Sequence, residues 1–285
     1  MSNDPLTLIL LAAGLGTRFG GPKQLAPVGP AGEPLLVVTA RQAAHAGFGR
    51  LVVVTRSELR DRIDEALAML GPRDDDPTPL IEVAGVVHQD EHGPARDVPW
   101  GTGHAVAVSA PFVTGPCGVA NADDYYGDPS FDVLAEWLRR AGADDSVIVG
   151  FPLGATLSPH GGVARGVCHA TDGRIDHLAE HRGLRREGDK IVDDDGETFD
   201  DDTVVSMNLW GLPAWVPAAL AERFEAFHDT ADGAELMLPV EIDVLRRAGR
   251  TAVSLVTSPG RWAGLTFADD LPEVRRAVAA DAAHD

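Results

Sequence analysis

The first strong feature of the chain is an unbroken apolar run, 7–12 (TLILLA), closed by Gly14. Continuous apolarity over so short a stretch, with turn residues behind it, predicts a parallel strand covered on both faces. Residues 33–46 then carry Leu36, Ala40, Ala43 and Ala44 at helical spacing and stop at Gly47. A second strand is predicted over 51–55, followed by a helical stretch to Leu70 that Ser57 is placed to cap. This β-loop-α-β-α opening is the pattern of an α/β fold with a doubly wound parallel sheet. Further on, the pattern predicts a surface loop over 71–79 and a polar loop over 88–99. Strands are predicted over 80–87, 118–122 and 146–151, and a short helix over 103–110. Residues 128–141 are amphipathic, with Phe131, Leu134, Ala135 and Leu138 on one face. From about 158 to 212 the apolar pieces are short, broken by glycines and by the acidic tract 193–202, which predicts a small mixed β extension of the sheet. Helices over 213–227 and 234–248, a strand over 252–257 and a helix from about 270 complete the pattern, and no internal repeat occurs.

Charge narrows the function classes. The 285 residues hold 24 Lys plus Arg and 44 Asp plus Glu, a formal net charge of −20. Polyphosphate and anionic membrane surfaces are gripped by basic patches, so no nucleic acid and no membrane is expected as a partner. A small phosphate ligand held by one or two local cations stays allowed. A hydrophobic content of 44% excludes disorder for the bulk of the chain. Its length suits one domain spanning 1–285. The two cysteines, Cys117 and Cys168, rule out a disulfide framework and a Cys-rich metal site. The N-terminus lacks a basic leader, and no run approaches the roughly 18 apolar residues of a membrane span, so a cytoplasmic protein is expected.

The chemistry concentrates in LAAGLGTRFGGPKQL, residues 11–25. A strand ends in Gly14-Leu15-Gly16, and the following loop carries two cations, Arg18 and Lys23. Glycines allow successive backbone N–H groups to turn toward an anion, Arg offers a planar fork to phosphoryl oxygens, and Lys adds a mobile point charge. The dinucleotide fingerprint G-x-G-x-x-G fails at Phe19. The P-loop fails because Pro22 separates Gly21 from Lys23 and Gln24 follows. What remains, G-x-G-T-R-x-G-G-P-K-Q-L, resembles the signature of the sugar-1-phosphate nucleotidyltransferase (nucleotide-sugar pyrophosphorylase) family.

Further segments carry the resemblance in order. Trp100-Gly101-Thr102-Gly103-His104-Ala105 is similar to the base loop of the UDP-N-acetylglucosamine pyrophosphorylase domain. That likeness implies a Rossmann-like doubly wound mixed sheet of the nucleotide-diphospho-sugar transferase type. It also implies a nucleotide-binding part over 1–155 and a sugar-phosphate-binding part over 156–285. Nucleotide contacts are implied for Ala12, Ala13, Gly14, Gly16, Thr17, Gly101 and Thr102, and Gln89 is placed to read a pyrimidine edge. The run GVANADDYYG, 118–127, ends a buried strand in two carboxylates. The resemblance gives Asp123 the Mg²⁺-binding role and puts Asp124 in the neighbouring sugar-side slot; hard oxygen ligands suit that ion. Gly162, Glu180 and Asn208 are implied sugar contacts. For a second metal ligand the family pattern is broken, since Thr266 stands at its place. Asp269 is near enough to serve, although Asp270-Leu271-Pro272-Glu273 has capping-box spacing that can start a helix.

Among the features set aside, the ten histidines show no metal-binding spacing, and His104 alone lies in a loop of interest. Asp193-Asp194-Asp195-Gly196 suggests a calcium loop, but Ile191 stands where that motif needs an acid, so a solvated hairpin tip is expected. No β-helix repeats of the kind some relatives carry are present. The resemblance implies Mg²⁺-dependent transfer of a nucleotidyl group from an NTP to a sugar 1-phosphate, with Arg18 and Lys23 as the catalytic cations. The base loop favours UTP or dTTP. Two alternatives stay open: a cytidylyl- or guanylyltransferase acting on another phosphorylated alcohol, and a non-catalytic sugar-nucleotide-binding subunit. A homo-oligomer is compatible with either.

Overall fold

The computed structural model describes residues 5–14, 16, 19–73, 76–229, 233–265 and 268–281. The N-terminal apolar run is β1 (Leu6–Leu11), flanked by two parallel partners, β2 (Phe48–Thr55) and β4 (Cys117–Asn121). Between these in sequence lies β3 (Glu82–His88), parallel to β2. Because β1 is covered on both faces, alternate side chains enter opposite layers. Leu8 and Leu10 pack with Leu36 and Leu134, whereas Ile9 packs with Val106 and Leu220. That is why its sequence is apolar without alternation.

The sheet continues through β5 (Asp145–Pro152), β6 (Val163–Thr171), β7 (Arg174–Glu187), the short β8 (Lys190–Val192) and β9 (Thr198–Phe199), β10 (Val204–Leu212) and β11 (Ala252–Thr257). Among the described residues its order is β9-β8-β7-β11-β5-β10-β4-β1-β2-β3, with β6 paired to both β7 and β10. β10 runs antiparallel to β4 and β5, which makes the sheet mixed. Helices α1 (Leu35–His45), α2 (Arg60–Leu67) and α4 (Asp128–Arg140) lie along one face, and α4 buries Phe131, Leu134, Ala135 and Leu138. Opposite lie α3 (Thr102–Val108), α5 (Val216–Phe227) and α6 (Leu238–Arg247). The last helix, α7 (Leu271–Asp281), packs Val274, Ala277 and Val278 against Tyr125, Ala26 and Val28 in a separate cluster.

Three local expectations change. Ser57 does not cap its helix: its hydroxyl and backbone N–H both donate to Asp90, tying the end of β2 to the loop after β3. Within 71–79, Pro72–Arg73 pairs antiparallel with Asp76–Pro79. The β extension is also larger than its broken pattern suggested. β6 and β7 form a long hairpin closed by Asp172-Gly173, both at positive φ (50° and 72°), the conformation a two-residue hairpin turn needs. Among the described residues no helix is long and apolar enough to cross a membrane.

Candidate active site

The C-terminal ends of β1 and β4 open onto a cleft of about 580 Å³. Its lining includes Lys23, Thr102, Asn121, Asp123, Asp124, Arg165, Glu180 and Asn208. The loop after β1 supplies the cation. Gly16 sits at φ 58°, and its carbonyl accepts N–H groups from Phe19, Gly20 and Gly21, so the chain curls back on itself. A side chain there would run into the Gly21 carbonyl, at 2.0 Å from the position of its Cβ, which makes glycine obligatory. Behind the curl, the buried Gln24 donates to the Ala12 carbonyl at 2.7 Å and anchors the turn Lys23–Leu25. Lys23 Nζ thereby reaches 3.6 Å from Asp123 Oδ2. Ala12 and Ala13 are buried at the strand end and Gly14 is exposed. Thr17 and Arg18 lie outside the described residues.

Asp123 follows β4 and faces Lys23, with 35% of its side chain open. Burial pushes its carboxyl above the usual range, and the Lys23 charge only partly offsets this. Asp124 is pushed up to about 7, first by burial and then by the charge of Asp123. An Asn121 N–H, donated to Asp124 Oδ2 at 2.9 Å, and the nearby Arg165 oppose the rise. Two adjacent desolvated carboxylates facing one lysine form a donor set short of positive charge. Their all-oxygen chemistry fits a hard divalent cation.

The segment Ala263–Gly264 pairs with Asp124–Tyr125 and carries the chain toward Asp269. Asp269 itself stands exposed on the turn Ala268–Asp270 before α7. Its neighbour Asp270 lies 3.6 Å from His160 Nε2. Thr266 lies outside the described residues.

At the loop before α3, Gly101 adopts φ 97°, and a Cβ there would stand 2.6 Å from the Leu236 carbonyl. Thr102 lines the cleft while its Oγ1 accepts the Leu238 N–H at 3.0 Å, so the start of α6 is tied to this loop. Gln89 is buried beside it. Its Nε2 donates to the Gly101 carbonyl at 2.9 Å and lies 3.2 Å from His104 Nδ1, which must accept. Burial holds His104 down to about 4, hence neutral, with its ring stacked on Phe224.

On the opposite side, Glu180 lines the cleft from β7 and accepts Arg182 at 2.9 Å. Asn208 is held in a bulge of β10 at φ 63°. Gly162 is packed against the Gly183 backbone and is not among the lining residues, whereas Ala164 and Gly166 of the same segment are. Among the lining residues that escaped the sequence reading, Asn121 and Arg165 stand beside the carboxylates. Asn121 gave no signal beyond its place two residues before Asp123. Arg165 is a lone arginine between Ala164 and Gly166; its guanidinium donates to the Thr156 and Ala164 carbonyls and lies 5.1 Å from the Trp262 ring.

Away from the cleft, His181 Nδ1, Asp193 Oδ2 and a Glu197 oxygen lie within 4.8 Å of one another. Asp193 is already satisfied there, by His181 at 2.8 Å and by the N–H groups of Asp195 and Glu197. The group is accounted for as a clamp on the acidic hairpin.

Comparison with known proteins adds a likeness in sequence and in fold. Residues 8–117 match the MobA-like NTP transferase domain. The bifunctional protein GlmU of Novosphingobium aromaticivorans is 31% identical over 95% of this chain and 52% of its own length. Residues 8–117 thus resemble an NTP transferase domain, and nearly the whole chain is similar to about half of that GlmU. GlmU of Dinoroseobacter shibae is 36% identical over 51% of this chain and 29% of its own length, so the chain spans about half or less of these relatives. The fold is that of solved nucleotidyltransferases. An inositol-1-phosphate CTP transferase from T. maritima superposes with TM-score 0.66 at 15% identity, covering 99% of this chain and 98% of that one. A UDP-glucose pyrophosphorylase solved with UDP-glucose superposes with TM-score 0.61 at 15% identity, covering 97% and 99%. Within this nucleotidyltransferase fold, the cleft sits where parallel strands end, as ligand sites do in open α/β sheets.

Proposed function

We propose that this chain transfers a nucleotidyl group from an NTP, UTP or dTTP, to a sugar 1-phosphate and releases pyrophosphate. The observation that carries the reading is the approach of Lys23 to Asp123 across the mouth of β1 and β4, facing Glu180, Asn208 and Arg165 over one open cleft. Residues 1–155 would bind the nucleotide and 156–285 the sugar phosphate. A phosphate oxygen of the acceptor attacks the NTP α-phosphorus, a new P–O bond forms, and the bond to the β-phosphate oxygen breaks with its electron pair leaving on pyrophosphate. The nucleophile is already an oxyanion, so no general base is needed, and catalysis is positioning plus charge neutralisation.

Lys23 is set to neutralise the α-phosphate, while the loop backbone over 14–17 and Arg18 hold the departing phosphates. Gly101 and Thr102 form the base loop, with the buried Gln89 bracing Gly101 from behind instead of reading a base edge, and Asp124, Glu180 and Asn208 face the acceptor. Asp123, with Asp269 as second carboxylate, would hold Mg²⁺, which when bound neutralises phosphate charge. A reaction that consumes an NTP fits a cytoplasmic protein. The test is pyrophosphate release with Mg²⁺ across the four NTPs and dTTP against a panel of sugar 1-phosphates. UTP or dTTP consumption with one sugar phosphate is expected. CTP or GTP consumption with another phosphorylated alcohol would overturn the donor assignment, and no turnover with any pair would overturn the activity.

A further inference from the structure

Asn208 is one of two non-glycine residues at positive φ among the described residues, and it sits where β10 bulges beside the cleft. A strained backbone next to a site calls for an account of what it holds. Here it holds a chain of three side-chain hydrogen bonds. Trp210 Nε1 donates to Asn208 Oδ1 at 2.9 Å, Asn208 Nδ2 to Asn121 Oδ1 at 2.7 Å, and Asn121 Nδ2 to Asp124 Oδ2 at 2.9 Å. Its direction is fixed from the far end. An indole N–H can only donate, so Asn208 must present its oxygen there and its NH₂ to Asn121. Asn121 must then accept on its oxygen and offer its own NH₂ to Asp124. The Asp124 carboxylate, which only accepts, demands the same direction from the other end, so both amides are held in one orientation between the indole and the carboxylate, and without the indole donor Asn208 is held from one side only. Asn121, Asp124 and Asn208 line the cleft; Trp210 does not, and it is fully buried.

We infer that Trp210 is a positioning residue for the acceptor side of the cleft. Through Asn208 and Asn121 it occupies Oδ2 of Asp124 and leaves Oδ1 for a hydroxyl of the acceptor. A Cβ on Gly264 would meet the Trp262 ring at 2.4 Å before Oδ1 at 3.1 Å, so the glycine seats that ring beside Asp124 without adding a side chain against Oδ1. The inference deepens the proposed function and rests on its placing of the acceptor beside Asp124.

The test is a set of steady-state kinetics on Trp210→Phe, Asn121→Leu and their double variant. Trp210→Phe is expected to lower kcat/KM for the acceptor about tenfold, the scale of one hydrogen bond lost at a site, while the NTP KM stays within about twofold. If the two residues act in one chain, the double variant is no worse than Asn121→Leu alone. Losses that multiply, or a folded Trp210→Phe enzyme with unchanged acceptor kinetics, would overturn the inference. If Trp210→Phe does not fold, benzothienylalanine placed at position 210 takes its place in the cycle, because it keeps the bicyclic shape and removes only the N–H donor. A readout independent of turnover is the Asn121 side-chain amide signal in an NMR spectrum. It should move in Trp210→Phe although no hydrogen bond joins the two side chains directly, and an unmoved signal refutes the relay. Wild-type protein inactive with every substrate pair would defeat the proposed function, and the amide signal would still decide the relay.

Discussion

The chain has two concentrations of acid, and they are opposites. In the hairpin 190–202 each aspartate with a described partner meets a cation or a hydrogen-bond donor. Lys190 bonds Asp200, Arg186 bonds Asp201, Arg185 lies 3.4 Å from Asp194, and His181 lies 2.8 Å from Asp193. The hydrogen bond from His181 holds Asp193 below the usual carboxylate range, and that from Arg186 does the same for Asp201. In the cleft, Asp123 and Asp124 are held above that range by burial, with Lys23 as the nearest cation to Asp123. A net charge of −20 counts both groups alike. The hairpin acids stabilise their own ionised form, and the cleft acids await positive charge from elsewhere, which marks a site rather than a surface. On the proposed function it also accounts for how so acidic a protein would bind polyanionic substrates: the attraction is local, and bulk acidity is disposed elsewhere.

The sharpest way to break this contrast is to remove the cation that faces Asp123. Lys23→Ala should lower turnover by about 10³-fold or more, the scale for losing a charge that meets a transferring phosphoryl group. Lys23 keeps only 15% of its side chain exposed, yet its removal should leave the melting temperature within a few degrees, because the main-chain anchor of the loop is Gln24 and not Lys23. Near-normal pyrophosphate release by this variant would remove Lys23 from the chemistry.

A smaller effect tests the sign of the cleft electrostatics. With its folded-state value pushed up to about 7, Asp124 favours the folded state in its protonated form. The stability it contributes is present at low pH and is lost as pH rises from about 4 to about 7. Asp124→Asn should therefore melt higher than the parent protein at pH 8, by about 2–6 °C, with the difference shrinking toward pH 4. A difference that stays constant with pH would mean that burial is not what sets this carboxyl. Divalent cation added to the parent protein at pH 8 should recover part of the same gap.

Sequence pattern carried the parallel half of the fold because those strands are buried on both faces, and the family signature of 11–25 could be read because backbone geometry there demands particular residues at particular places. Gly16 and Gly101 are forced by close approach and positive φ, and such constraints leave a mark in one sequence. The opposite side of the cleft was less legible. Its contacts are set by hairpin register and by the bulge at Asn208, and a shift of one or two positions moves a residue out of the cleft. Hence Gly162 was named where Ala164 and Gly166 line the wall. Arg165 and Asn121 went unread because their partners, Trp262 and Asn208, stand 97 and 87 residues away in sequence. Gln89 and His104 were each legible as members of a loop, but their pairing was not.

The smallest expected effect lies at the other pole of the comparison. Arg186 and Asp201 form an exposed pair, with 44% and 61% of their side chains open. Exposed pairs of this kind are screened by water and salt and lose side-chain entropy on forming. The hairpin holds the main body through backbone instead, with the Leu153 N–H donated to the Thr203 carbonyl at 2.7 Å and the Gly154 N–H to the Asp201 carbonyl at 3.0 Å. Asp201→Asn leaves those bonds in place. It should shift the melting temperature by less than about 2 °C and leave the turnover number unchanged, and 0.5 M salt should erase even that shift. A turnover drop of more than about fivefold would couple the tract to the cleft, and the division between paired surface acids and underpaired site acids would then fail where it is expected to be safest.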